Sequence, residues 1–158
     1  MPYQVEKYES LSFDNVASYR ERILQNQVNK EFNLFMRTIQ SAGAKKNGPL
    51  ITTTHQIETT PEKTLVDVEF LVPLDRSIPL DGKYKFKPTF KIAHSLKVTH
   101  YGDPRLIEHA YNHVVQYIEE NNLNQITSFY NISRNDENIA QGEEPITDIM
   151  VGINPSIL

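Results

Sequence analysis

The chain has no cysteine and no tryptophan among its 158 residues. The first absence removes disulfides, zinc–thiolate sites and thiol nucleophiles together, and it fits a reducing cytoplasm. Glycine is scarce, with six in all, and these never cluster, so there is no P-loop and no G-x-G-x-x-G turn. No G-x-S-x-G elbow is present either. No apolar run approaches the roughly 20 residues of a membrane helix. The opening MPYQVEKYES lacks the basic and apolar regions of a signal peptide. Cytoplasmic localisation without membrane contact is the expectation. There is no excess of positive charge: the formal net charge is -4 and the pI about 5.7, which argues against nucleic acid as a partner. Lys45-Lys46 is only a pair, and Lys83, Lys85, Lys87 and Lys91 sit among acids and aromatics.

What is present is ordinary globular material, 39% hydrophobic and 23% charged, in a length that suits one domain with a real core. Tyr3 to Phe13 reads as a strand. Val16, Tyr19, Ile23, Val28, Phe32, Phe35 and Ile39 recur mostly at steps of three to five. That spacing predicts an amphipathic helix over 16–41, about seven turns long, stopped near Gly43. Leu50–Glu58 and Leu65–Leu74 read as strands. In the second, Val66, Val68, Phe70 and Val72 alternate with Asp67, Glu69 and Leu71. Residues 76–89 form a connector. A strand over Phe90–His100 follows, and Asp103-Pro104 opens a helix over 104–120. Strands over Ile126–Ser133 and Pro145–Ile153 close the chain, with a polar loop at 134–144 between them.

The order β-α-β-β therefore occurs twice, in repeats at about 1–75 and 90–158. The expected architecture is α+β and single-domain: two pseudo-symmetric repeats, an antiparallel sheet, two helices on one face and a groove on the other. Aligning the repeats places His55 on Tyr130 and Glu69 on Asp148. Val66, Val68, Phe70 and Val72 would face the first helix, and Ile149, Val151 and Ile153 the second. The opposite faces, with Glu69 and Leu71 in one repeat and Asp148 and Met150 in the other, would line the groove. Apolar walls with a few placed polar groups suit a small molecule, and a carboxylate there favours a cationic or amphipathic one. Tyr101, Tyr130 and His55 are further candidates for that lining. His109 and His113, four apart on a helix, have a metal-compatible spacing but no third ligand, so no metal and no cofactor is expected.

The segments VTHYGDPRLIEHAYNHVVQYIEE, ITSFYNIS and ITDIMVGI, with VDVEFLVPL in the first half, resemble the GyrI-like effector-binding domain. That domain also forms the drug-binding half of multidrug-responsive transcription regulators. The resemblance implies that Asp148 is the ligand-contacting carboxylate, where the family has Glu. It implies that Tyr130 is a ligand-facing tyrosine and that Gly152 stands at the family's proline. The implied function is non-catalytic binding of a small ligand, as a stand-alone sensor or sequestering protein in monomeric or dimeric form. Two alternatives stay open. One is a protein-interaction module that inhibits or protects a partner, as gyrase-inhibiting relatives or toxin-locus accessory proteins do. The other, from hydrolytic relatives, is a small-molecule hydrolase using Asp148 and Tyr130.

Overall fold

The structure, a computed structural model, describes residues 3–135 and 142–153. The described part is α+β, with antiparallel strands and two helices. Residues 136–141 of the loop expected at 134–144, and the outermost residues of both expected repeats, lie outside it. The described residues form two compact units, one of residues 13–90 and the other of residues 3–12 with 91–153.

The first unit holds most of strand β1 (Glu6–Leu24), helix α1 (Val28–Ser41), and strands β2 (Ile51–Thr59) and β3 (Thr64–Pro73). β3 lies between β1 and β2, antiparallel to both. Residues 16–24, expected to be helical, are instead strand, paired one for one with Pro73 back to Leu65. Tyr19 and Ile23 stand four apart, a spacing that a helix and a strand both place on one face. The nine-residue ladder decides between them. Ala17, Tyr19 and Ile23 join the core under α1, while Arg20 turns away to meet Asp67. The helix begins only after a short 3₁₀ turn at Gln25–Gln27. It ends where expected: Gly43 takes φ +90°, and the amide of Ala44 donates to the carbonyl of Ile39.

The core of this unit is aromatic. Tyr19, Phe35, Phe70 and Tyr84 are ring neighbours at 5.2–6.2 Å, and Val66, Val68 and Val72 fill the sheet side as their alternation predicts. Tyr19 donates its buried hydroxyl to Glu21 and to Glu31, the latter at 3.1 Å. Burial first, then these two acceptors, pushes the Tyr19 hydroxyl far above its ordinary pKa.

The second unit holds the rest of β1, most of strand β4 (Tyr84–Tyr101), helix α2 (Glu108–Glu120), and strands β5 (Tyr130–Ser133) and β6 (Ile146–Gly152). β6 lies between β4 and β5, again antiparallel to both. Asp103 caps the turn before α2, accepting the Arg105 amide at 2.9 Å, with Pro104 next in the chain. The core here is aliphatic: Leu96, Val98, Ala110, Val114, Ile149 and Val151, with Tyr3 and Val5 packed against them. β5 is shorter than the expected 126–133. Ile126 and Thr127 still reach Gly152, whose carbonyl accepts the Ile126 amide at 2.7 Å. The Gly152 amide donates to Thr127 Oγ1 at 2.8 Å, a bond a proline at this position could not make. Among the described residues no helix is long and apolar enough to cross a membrane.

Candidate functional site

In antiparallel strands, directly paired residues share a face. The registers therefore place the sequence-predicted residues. In the first unit Glu69 lies opposite Arg20 on β1 and Thr53 on β2, and Leu71 lies opposite Ser18 and Ile51. β2 carries a bulge at His55, one residue more than β3 offers there, and His55 Nε2 bonds Glu69 Oε1 at 2.9 Å. Glu69, Leu71 and His55 thus share the face turned away from α1. In the second unit Asp148 lies opposite Thr99 and Ile132, and Met150 opposite Tyr130 and Lys97. Asp148, Met150, Tyr130 and Tyr101 share the face turned away from α2. Leu71 and Met150 are 0% and 2% exposed, so both serve as buried packing.

His55 stands two residues beyond the β2 partner of Glu69, and Arg134 two residues beyond the β5 partner of Asp148, while Tyr130 pairs with Met150. His55 and Arg134 each bind the central acid of their unit.

The expectation of a cationic or amphipathic ligand rested on carboxylates in the groove, and both acids have cationic or histidine partners. Glu69 is 9% exposed, bonded to His55, with Lys87 Nζ at 3.7 Å. Asp148 is likewise 9% exposed and more tightly held. Arg134 Nε donates to Oδ2 at 3.0 Å and Nη2 donates to Oδ1, the two-pronged geometry a guanidinium favours. Thr99 Oγ1 donates to Oδ1 at 2.7 Å. Asp148 in turn raises the Arg134 pKa above its ordinary value. In the first unit the Thr53 hydroxyl, across from Glu69, is buried with no hydrogen-bond partner among the described residues.

A cleft lies in the second unit, beside Thr99. Its volume is about 500 Å³. Tyr3, Gln4 and Glu6 form one wall, and Thr99, His100 and Tyr101 at the end of β4 form another. Leu106 and His109 complete it. Leu106 and Tyr101 are exposed apolar surface at its rim. Inside, the buried His100 ties the walls together. Its Nε2 lies 2.8 Å from the Asp103 carbonyl, which can only accept, so Nε2 carries the proton. In the neutral ring Nδ1 then accepts from the Tyr3 hydroxyl at 2.9 Å. A shallower depression of about 490 Å³ continues past Tyr3 and His109 to His113. Glu6 pairs with Lys97 at 3.2 Å. Among the described residues no group of three metal-ligating side chains converges.

Of the predicted residues only Tyr101 lines this cleft, and Asp148 sits one side chain behind it, through Thr99. Tyr3, His100 and Leu106 were missed. They lie on three different segments, and no spacing within one element signals that they meet.

No protein-family model and no curated protein sequence matches the chain. Solved structures do. A hydrolase from Listeria innocua matches with a TM-score of 0.57 at 9% identity, over 97% of this chain and 92% of that one. EcmrR in its complex with DNA matches with a TM-score of 0.71 at 17% identity; the alignment covers 98% of this chain and 58% of that longer one. The EcmrR C-terminal domain matches with a TM-score of 0.76 at 19% identity, over 98% of this chain and 99% of that domain. At such identities the likeness concerns the fold, and along nearly its whole length this chain has a fold similar to that of the EcmrR C-terminal domain.

Proposed function

We propose that this chain binds a small amphipathic molecule in the cleft beside Thr99, as a sensor or sequestering module of the GyrI-like kind. The observation that carries the reading is the cleft itself. It offers exposed apolar surface at Leu106 and Tyr101 over a fixed set of polar groups at Tyr3, Thr99, His100 and His109. A concave apolar site with a few oriented polar groups is the usual form of a small-molecule site. The similarity of fold to the EcmrR C-terminal domain supports the same reading, as does the resemblance carried by ITSFYNIS and ITDIMVGI. Descent of the two units from one β-α-β-β repeat belongs to the proposal too. Its support is the shared pairing order and the acid-to-base contact at matching registers. DNA contact is no part of it, since the EcmrR–DNA complex involves a chain of which this one covers 58%.

Hydrolysis through Asp148 and Tyr130 is the weaker reading. It needs a carboxylate free to take up a proton, and both oxygens of Asp148 are engaged. The test is a thermal-shift screen with amphipathic aromatic compounds, repeated on Leu106→Asp. A ligand at 100 times its Kd should stabilise the native protein by about 2.7 kcal/mol. The variant should lose most of that shift. No shift with any compound, or an undiminished shift in Leu106→Asp, would sink the reading.

A further inference from the structure

Taking that cleft as the binding site, we propose that Arg134 determines its specificity, so that the cleft takes neutral or anionic aromatic molecules and rejects lipophilic cations. Thr99 lines the cleft, and its hydroxyl donates to Asp148 at 2.7 Å. One hydroxyl group therefore separates a ligand from a buried carboxylate. Standing alone, that carboxylate would draw cations into the cleft.

It does not stand alone. Arg134 takes both its oxygens, and Arg134 Nη2 also lies 3.3 Å from Thr99 Oγ1. Thr99, Asp148 and Arg134 thus close into a unit with no net charge, and the guanidinium holds the position a ligand cation would seek. A cation entering the cleft would have to break a two-pronged, charge-assisted contact and return only one interaction. The other acid at the cleft gives no relief, since Glu6 is paired with Lys97 at 3.2 Å. What remains toward the ligand is the ring N–H of His109, which a neutral or anionic group can use, together with lone pairs of the Tyr3 and Thr99 oxygens, whose protons go to His100 and Asp148.

The side chain of Arg134 is 45% exposed and that of Asp148 13%. Removing the arginine therefore unmasks a buried charge, while removing both partners restores neutrality.

The experiment is a fluorescence titration of the full chain with two dyes, the anionic anilinonaphthalene sulfonate and the cationic rhodamine 6G. Wild type should bind the anionic dye more tightly. Arg134→Gln should shift the affinity ratio toward the cation by about tenfold or more, the effect of about 1.4 kcal/mol. The double variant Arg134→Gln/Asp148→Asn, which leaves no buried charge to destabilise the fold, should return the ratio to near the wild-type value. A wild type that prefers rhodamine, a ratio unmoved by Arg134→Gln, or a double variant that gains cation affinity would each overturn the proposal while leaving the cleft as a binding site. If neither dye binds any of the three proteins, the cleft reading falls and this inference falls with it.

Discussion

Glu69 and Asp148 hold corresponding places in their units: each sits on the middle strand of its three, on the face away from the helix, 9% exposed. Their partners differ. Glu69 is held from one side by a histidine on a bulge and approached by Lys87, whose side chain is 39% exposed. Asp148 is clamped by a guanidinium and a hydroxyl. The cores differ as well, stacked rings under α1 and aliphatic side chains under α2. The described pairing order thus tolerates two core chemistries and two ways of neutralising an acid. Only the second acid sits behind the wall of the cleft, through Thr99.

Four tests would break or sharpen this comparison. The largest effect is expected in the aromatic core. Phe35→Ala removes a fully buried ring between Tyr19 and Tyr84 and should cost about 3–5 kcal/mol, read from the urea midpoint. Val114→Ala in the other core removes two methyl groups and should cost clearly less, so equal losses would contradict the contrast. Next comes the acid pair. Asp148→Ala strips Arg134 and Thr99 of their shared acceptor and should cost about 2–3 kcal/mol, more than Glu69→Ala. The reverse order in chemical denaturation would show that His55 and Lys87 hold their acid better than the distances suggest.

Tyr19→Phe ranks third. It deletes a hydroxyl bonded to Glu21 and Glu31 and should cost about 1 kcal/mol, without disturbing the ring packing that near-ultraviolet circular dichroism reports. The smallest effect is at Asp67. Hydrogen bonds from Arg20 hold its carboxyl below the ordinary carboxylate range. Its folded pKa is lowered, so its contribution is present above about pH 3.9 and disappears as the pH falls through the folded value. Arg20 is half exposed, which limits the pair to about 0.2–1 kcal/mol. Asp67→Asn should flatten the acid limb of a stability-against-pH curve by that amount, and an unchanged limb would refute the assignment.

Much of the fold was legible because its signals are local. The alternation in LVDVEFLVPL gave β3 and its two faces, and Asp-Pro marked the start of the second helical stretch. The first helix was read too early because Tyr19 and Ile23 satisfy both periods, and the choice belongs to Leu65–Pro73, some fifty residues away. The site was half legible. The faces bearing Glu69 and Asp148 followed from period 2, but their partners did not. Arg134 and His55 reach those acids only through strand register, and His55 through a bulge that no composition announces. The meeting of Tyr3 with His100, 97 positions apart, leaves no trace in sequence spacing.

One unit is a continuous stretch, residues 13–90, while the other is assembled from 3–12 and 91–153. The two differ in how soon they can close. The continuous unit has all its strands and its helix once Phe90 has been added. The split unit must keep its first segment waiting across those intervening residues, and it pays the entropy of closing that long loop. Contacts such as Tyr3 to His100 are therefore expected to form after the continuous unit, which pulse-labelled amide exchange during refolding would read as later protection of 91–101 than of 65–73. On that expectation a chain emerging from the ribosome would have its aromatic core before it had anywhere to put a ligand.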